Sequence, residues 1–404
     1  MRTEELFGIA LGLQAPWMID RTELSMNESK KVLHIYIKHL PGTRFLYEGS
    51  LYPVYDHQER TWRHLNFFEH ECYLHAAVPR IRNDQGQVLL VDVPWASPGS
   101  SFTLLFEAYA ALLVEGGMPC TKAGRYMGIS GKRVWTILRK MVGYALAEQP
   151  LEDVKHLGVD ETSSKKGHHY FTIFTDVKER KVVGVGQGRD QAAFEQALVD
   201  LEVRGAEPKK IKLVTMDMSQ AYIAGVCKHL PKAKIVFDRF HLEQGMNSVV
   251  DEVRKAETKK YMELKKTKYL WLKNQSRLNH QQQQQVELLA NAYPTIGQVY
   301  RLKEQFKQVL NQASESSLLK PINLWMKLAW DSGIEPVRRF VNLLKDHWYG
   351  IKTYFRYCVT NGYAERVNLK IQEIKRVARG YRNPHNFILM IYFHLGKLQL
   401  NLPT

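Results

Sequence analysis

The chain has 404 residues, is 45% hydrophobic, and carries 57 Lys and Arg against 41 Asp and Glu, a formal net charge of +16. That length and apolar content can bury cores for about two or three domains, and the basic surplus points to a polyanionic partner, nucleic acid ahead of a membrane surface. No apolar run of about 18 residues occurs, which excludes a bilayer-spanning helix, and Cys72, Cys120, Cys227 and Cys358 are scattered without a CxxC pair, which argues against a disulfide framework and for a reducing cytoplasm.

The N-terminal stretch MRTEELFGIALGLQAPW carries acids and is too weakly apolar for a signal peptide. Residues 1–97 then mix short β-like runs with turns, punctuated by Pro79, Pro94 and Pro98 just beyond. His57, His64, His70, His75 and Cys72 fall here at spacings that match no standard zinc pattern, so satisfied structural histidines are expected rather than a metal site.

Residues 98–148 turn helical. In SFTLLFEAYAALLVE, the side chains Phe102, Leu105, Phe106, Tyr109, Leu112 and Leu113 recur at helical spacing. In TKAGRYMGISGKRVWTILRKMV a short helix should end at Gly128, and a second should start with Ser130 as its N-cap. Val134, Ile137, Leu138 and Met141 would face inward, and Lys132, Arg133 and Thr136 outward. A helix-turn-helix needs this layout, because its second helix must present its first turns to the bases of a major groove. An ordinary three-helix packing unit fits the same pattern.

Residues 149–243 alternate strands at 156–161, 169–175, 181–186, 211–216 and 234–237 with helices at 190–203 and 219–229. Three hairpin-linked strands followed by helix, strand, helix, strand is the order of a ribonuclease H-like sheet, in which the first strand is central and the fourth lies beside it. In LGVDETSSKKGHHYFTIFTD the first strand should end on Asp160 and Glu161 before a basic turn with Lys165, Lys166, His168 and His169. Asp217 ends the fourth strand in KLVTMDMSQAY, so Asp160 and Asp217 should meet. Two such carboxylates repel unless one keeps its proton or a divalent cation joins them; hard oxygen donors suit Mg2+ or Mn2+. Asp176 and Asp190 are expected to be turn and cap residues.

Residues 244–350 are predicted wholly helical and charged, with aromatic residues interleaved in the basic run DEVRKAETKKYMELKKTKYLWLKNQ and a solvated face in HQQQQQ. A last helical block occupies 351–404. There Asn361 should cap a helix carrying Glu365 one turn in, with Asn368 on the same face and Lys370, Lys375, Arg376, Arg379 and Arg382 following. Glu365 is the candidate third acid, although an acid in a basic helix can also be a simple ion-pair partner.

The motifs GVDETSSKKGHHYFTIFTD, GQGRD, VTMDMSQAY, LPKAKIVFDRFHL and TNGYAERVNLKIQEIKRVARGYRN, in that order, resemble the DDE transposases of bacterial insertion sequences, in the ISL3 group. Upstream, ERTWRHLNFFEHECYLHAAVPR and VPWASPGSSFTLLFE fit as well, so the resemblance spans roughly residues 40 to 392. It implies that Asp160, Asp217 and Glu365 are the catalytic, metal-holding triad of an α/β ribonuclease H-like core (149–243 and 351–404), interrupted by a helical insertion (244–350) and preceded by a β-rich region (1–97) and a helix-turn-helix domain (98–148). On the family's pattern Asp160 would bridge two Mg2+ or Mn2+ ions about 4 Å apart, with Asp217 on one and Glu365 on the other.

Relatives carry paired cysteine ligands in an N-terminal zinc ribbon. Here FLYEGSLYPVYD and PRIRNDQGQ stand in those places without cysteine, so zinc is not expected. Asp238 in FDRFHL is a rival second acid; because a fifth strand lies farther from the first, Asp217 is preferred and Asp238, with Asn368, is assigned a supporting place. Lys132, Arg133 and Thr136 would read terminal inverted repeats, while Arg239, His241, Lys375, Arg376, Arg379 and Arg382 would touch DNA around the site. The expected partners are terminal-repeat and target DNA and a second copy of the chain on DNA, with no membrane, in a bacterial cytoplasm at the nucleoid. A DNA-binding regulator with an inactive core, and a nuclease that cuts without joining, are the alternatives.

Overall fold

A computed structural model of the chain describes residues 2–27, 30–165, 169–311, 315–357, 359 and 362–400. The chain divides into two compact units, one built on Met1–Ala145 and the other Leu146–Leu398.

The first unit opens with α1 (Thr3–Ala10) and continues through β1 (Trp17–Asn27), β2 (Lys30–His39), β3 (Arg44–Tyr47), β4 (Ser50–Phe67), β5 (His70–Arg82) and β6 (Val88–Leu90). The strands form one sheet in the order β1-β2-β5-β4-β3, with β6 beside β5. Strand periodicity explains the layering: along β5, Cys72, Leu74, Ala76 and Val78 are buried, and they join Trp17, Ile35, Ile37 and Trp62 in one core.

The helices α2 (Leu104–Glu115), α3 (Cys120–Tyr126) and α4 (Gly131–Ala147) follow. Thr103 caps α2 by accepting from the Phe106 amide. The buried side of α2 differs from the expected one. It is Phe106, Ala108, Ala110, Ala111 and Val114, while Leu105 and Tyr109 are exposed. Small alanines let neighbouring elements approach, which a count of large apolar residues does not detect.

The second unit contains β7 (His156–Lys165), β8 (His169–Asp176), β9 (Lys181–Gln187), α5 (Gln191–Val203), β10 (Leu213–Met216), α6 (Gln220–His229) and β11 (Lys234–Phe237). The sheet order is β11-β10-β7-β8-β9. β7 pairs antiparallel with β8 and parallel with β10, and β10 pairs parallel with β11. β7 is therefore central and β10 is its neighbour, as the alternation of strands and helices predicts. Gly186 in β9 has a specific cause: a Cβ there would overlap the Ala193 carbonyl of α5, so glycine lets that helix lie against the sheet. Asp176 accepts from the Lys178 and Glu179 amides, and Asp190 caps α5 through the Ala193 amide at 2.9 Å, the turn and cap parts expected of them.

Helices complete the unit: α7 (Arg239–Thr258), α8 (Lys268–Leu272), α9 (His280–Ala292), α10 (Pro294–Leu310), α11 (Glu315–Asp331), α12 (Glu335–Asp346), α13 (Trp348–Tyr357), α14 (Gly362–Val377) and α15 (Pro384–Leu395). Val250, Phe306, Trp325 and Phe340 of the helical part belong to one apolar cluster with Leu157, Phe174 and Val214 of the sheet, so the two parts share a core. The glutamine run is largely exposed along α9, and Trp271 of the basic run is fully buried. Among the described residues, no helix is long and apolar enough to cross a membrane.

Candidate active site and nucleic-acid interface

The acids are assembled by unequal strand lengths. The β7–β10 ladder ends at Gly158 opposite Thr215, while β7 continues to Lys165. The expectation that β7 ends on its acids is thus corrected: Asp160 and Glu161 lie within the strand, just past the last pairing with β10. Asp217 follows the end of β10 and accepts from the Ser219 amide at 3.0 Å. Asp238 follows the end of β11, is 6% exposed, and caps α7 by accepting from the Phe240 amide at 3.2 Å.

Beyond β10, the polar groups of β7 need other partners, and α14 supplies them. Asn368 donates through Nδ2 to Asp160 Oδ2 at 2.8 Å and to the Glu161 carbonyl at 3.3 Å. Gln372 donates to Thr162 Oγ1 and the Ser163 carbonyl, and Lys375 Nζ donates to the same carbonyl at 3.0 Å. Positions 368, 372 and 375 follow one helical face, and Glu365 continues it toward Asp160. The Asn361 cap lies outside the described residues.

Asp160, Glu161, Asp217, Asp238, His241, Glu365 and Asn368 line one cavity of about 500 Å³. Burial lifts the Asp160 carboxyl to about 6, with the charges of Asp217 and Glu161 adding to the shift; the Glu161 amide, at 2.8 Å, and His241 oppose it. Burial also raises Glu161, again helped by Asp217. This is the signature of clustered carboxylates lacking enough compensating charge. The donors are hard oxygens of the kind Mg2+ and Mn2+ prefer. Both Asp160 oxygens accept one hydrogen bond and keep lone-pair capacity. Among the described residues, no three His, Cys, Asp or Glu side chains are gathered tightly enough to hold an ion as they stand, so the donor chemistry fits a divalent ion while closure of the acids around it is a further step.

Two basic residues expected at DNA are engaged inside the unit. Arg239 bonds Glu243 at 2.7 Å, the Leu310 carbonyl at 3.0 Å and Asn311 at 2.6 Å, which joins α7 to the end of α10. Lys375 is held by Ser163. Arg376, Arg379 and Arg382 are exposed, and His241 faces the acids. Glu161 and Gln372 were missed as site residues. Gln372 could have been found seven residues after Glu365 on the same helical face, and Glu161 from its place next to Asp160 in the sequence.

In the first unit, α3 and α4 are joined by a turn with Gly128 at φ +69, a conformation natural to glycine. Ser130 Oγ accepts from the Arg133 amide at 3.4 Å, as expected of the cap. Val134, Ile137 and Leu138 are buried and Met141 partly so. Lys132, Arg133 and Thr136 are exposed on the first turns of α4, with Arg133 5.5 Å over the Phe102 ring.

The histidines of the β region have other partners. His34 bridges Ser25 and His75 at 3.0 and 2.8 Å, His75 reaches Thr61 at 3.0 Å, His64 reaches Thr103 at 2.9 Å, and His57 reaches His39 at 3.0 Å. Cys72 is buried.

Comparison with known proteins gives family matches in three stretches of the chain. Residues 157–391, over half of the chain, match the transposase family ISL3. Residues 91–142 match the helix-turn-helix domain of transposase family ISL3. Residues 49–82 match the zinc-finger of the transposases IS204, IS1001, IS1096 and IS1165. That last match runs against the expectation that zinc is absent, which rested on missing cysteine pairs. The chain is 27% identical over 348 residues, 84% of its length and 85% of the relative's, to the transposase for insertion sequence element IS1001 of Bordetella parapertussis. It is 23% identical over 447 aligned positions, 100% of its length and 98% of the relative's, to the transposase for insertion sequence element IS1557 of Mycobacterium tuberculosis.

Proposed function

The chain belongs to the ISL3 family of DDE transposases, DNA-binding enzymes of insertion sequences, and we propose that Asp160, Asp217 and Glu365 are its catalytic acids. The observation that carries this reading is the shared cavity, which brings together acids separated by 57 to 205 positions of sequence at the one place where β7 outruns β10. The strand order, with β7 central and β10 beside it, supports a ribonuclease H-like core. In that division residues 149–243 and 351–404 form the core, 244–350 its insertion, 98–148 the helix-turn-helix domain and 1–97 the β-rich region.

The three carboxylates would hold two divalent ions, Mg2+ or Mn2+. When bound, such ions make a water or 3′-hydroxyl oxygen nucleophilic and stabilise the leaving oxygen of a phosphodiester. The protein's own part is positional. Asn368 and the Glu161 amide orient the two oxygens of Asp160, and the Asp238 cap starts α7 so that His241 faces the acids. No side-chain nucleophile is needed, because the 3′-OH freed by hydrolysis attacks target DNA at the same site. Lys132, Arg133 and Thr136 would read terminal repeats, and Arg376, Arg379 and Arg382 would hold phosphates. Pairing two ends calls for two copies of the chain on DNA, at the nucleoid. In the β region the described histidines bond one another and neighbouring hydroxyls, and metal content of the purified chain tests whether it also holds zinc, as its zinc-finger match calls for.

The deciding experiment incubates the chain with Mg2+ and a duplex carrying a terminal repeat beside target DNA. Nicking at the repeat followed by joining of the freed 3′ end is expected. Binding without cutting would make the protein a regulator, and cutting without joining a nuclease.

A further inference from the structure

Gln244 lines both the cavity of the acids and a neighbouring groove. That groove, of about 580 Å³, begins at that residue and continues along the same helix, α7, to α8. Its walls near the acids are neutral hydrogen-bonding side chains, Gln244, Asn247 and Ser248; farther away they are Lys255, Lys259 and Lys268. Gln244, Asn247, Ser248 and Lys255 recur at helical spacing along α7, Lys259 follows its last residue and Lys268 opens α8; Gln244, Ser248, Lys255 and Lys259 are exposed. At a rise of about 1.5 Å per residue, the span from His241 to Lys259 is about 27 Å, the length of about eight nucleotides at 3.4 Å each.

We propose that this groove is the track of the DNA strand that passes through the active site, with the lysines on its phosphates. The proposal rests on the catalytic reading of Asp160, Asp217 and Glu365 and deepens it, because it assigns the direction in which the substrate leaves those acids. Charge supports the occupant. The two acids on the walls have arginine partners, Asp251 with Arg254 at 2.8 Å and Glu252 with Arg339; Lys255 also reaches Asp251, at 2.9 Å, and would exchange that contact for phosphate. Lys259 has no ion pair among the described residues, and Lys268 lies 4.0 Å from Asp251. The amides and hydroxyl can bond phosphate or sugar oxygens next to the acids without adding charge where metal must bind.

The test is phosphate-ethylation interference and salt-dependent binding of the full chain on a terminal-repeat duplex. The wild-type chain should show interference at phosphates within about eight nucleotides on one side of the cleaved bond. Substituting Lys255→Ala, Lys259→Ala and Lys268→Ala together should erase the far positions, from about six nucleotides beyond the cleaved bond outward, leave those next to the bond and in the repeat, and flatten the slope of log K against log salt by about 2.7. Arginine at the same three positions should restore both. An unchanged pattern and slope in the alanine variant, or no interference beside the cleaved bond in the wild type, overturns the proposal. Neither readout requires cutting, so a normal rate in Asp160→Asn would reject the catalytic reading separately.

Discussion

Asn368 of α14 donates a 2.8 Å hydrogen bond to Asp160 of β7, across 208 positions of sequence. The same amide group reaches the Glu161 carbonyl, so two acceptors hold its nitrogen and fix its orientation. This contact fastens the helix that carries Glu365 to the strand that carries Asp160. Asn368→Ala should preserve the fold and DNA binding while lowering the nicking rate by about 10- to 100-fold, the usual cost of losing a group that orients a metal ligand. Raising Mn2+ should recover part of the rate. A nicking rate and Mn2+ requirement equal to wild type would remove Asn368 from the site.

On the proposed two-metal reading, Asp160→Asn, Asp217→Asn and Glu365→Gln should each reduce nicking by about a thousandfold or more, since losing one carboxylate ligand would cost several kcal/mol at the transition state. All three should bind terminal-repeat DNA as the wild type does. Asp238→Asn should lose much less, because asparagine caps a helix as well as aspartate does and can still accept from the Phe240 amide. If Asp238→Asn abolishes nicking while Asp217→Asn stays active, those two acids exchange roles.

Asp160 gives a pH signature. Its carboxyl is lifted from the ordinary 3.8 to about 6, so the folded protein binds this proton more tightly than the unfolded chain. Stability from this group is full below about pH 4 and is lost as pH rises through about 6. Without metal, Asp160→Asn should therefore melt above wild type at pH 7.5, by on the order of 1–3 kcal/mol in stability, and the gap should close at pH 4. Mn2+ should reverse the order at pH 7.5, because only the wild type keeps the full ligand set. Melting curves with EDTA and with Mn2+ measure this directly; a gap that is the same at both pH values would remove the buried carboxylate as its source.

Lys132→Ala with Arg133→Ala should lower the preference for terminal-repeat over random duplex, by about 1–3 kcal/mol for each base-reading side chain truncated. Both side chains are exposed on the first turns of α4, so the fold should be unaffected. Competition binding gives the ratio. A full ratio in the double variant would move sequence recognition to the β region.

Gly186→Ala should destabilise the second unit by about 1–3 kcal/mol, the range for overpacking a tight core, because the added methyl meets the backbone of α5 at Ala193. Chemical denaturation measures the loss. A midpoint equal to wild type would mean that α5 can shift at no cost.

Much of this architecture was legible in residue order. The alternation of apolar runs with capped helices placed β7 to β11 and α5 and α6 within a few residues, because strand and helix periodicities are local properties. Ser130, Asp176 and Asp190 were readable for the same reason, as each bonds an amide two or three residues away. Strand order then brought Asp160 and Asp217 together, and helical spacing put Asn368 beside Glu365.

What the order of residues determined, then, was the run of strands and helices in the second unit and the outward face of α4, all governed by neighbours along the chain. Tertiary structure decided the rest. β7 runs past its acids because α14 satisfies the polar groups that β10 leaves open. Arg239 and Lys375, basic and expected at DNA, are turned to carbonyls that only the folded chain brings within reach. Leu105 and Tyr109 are exposed while alanines of the same helix are buried, because the partner surface chooses which face of a helix is covered. Long-range partners set these outcomes, and a side chain's final contact depends on the nearest unsatisfied group in space, which sequence position does not specify.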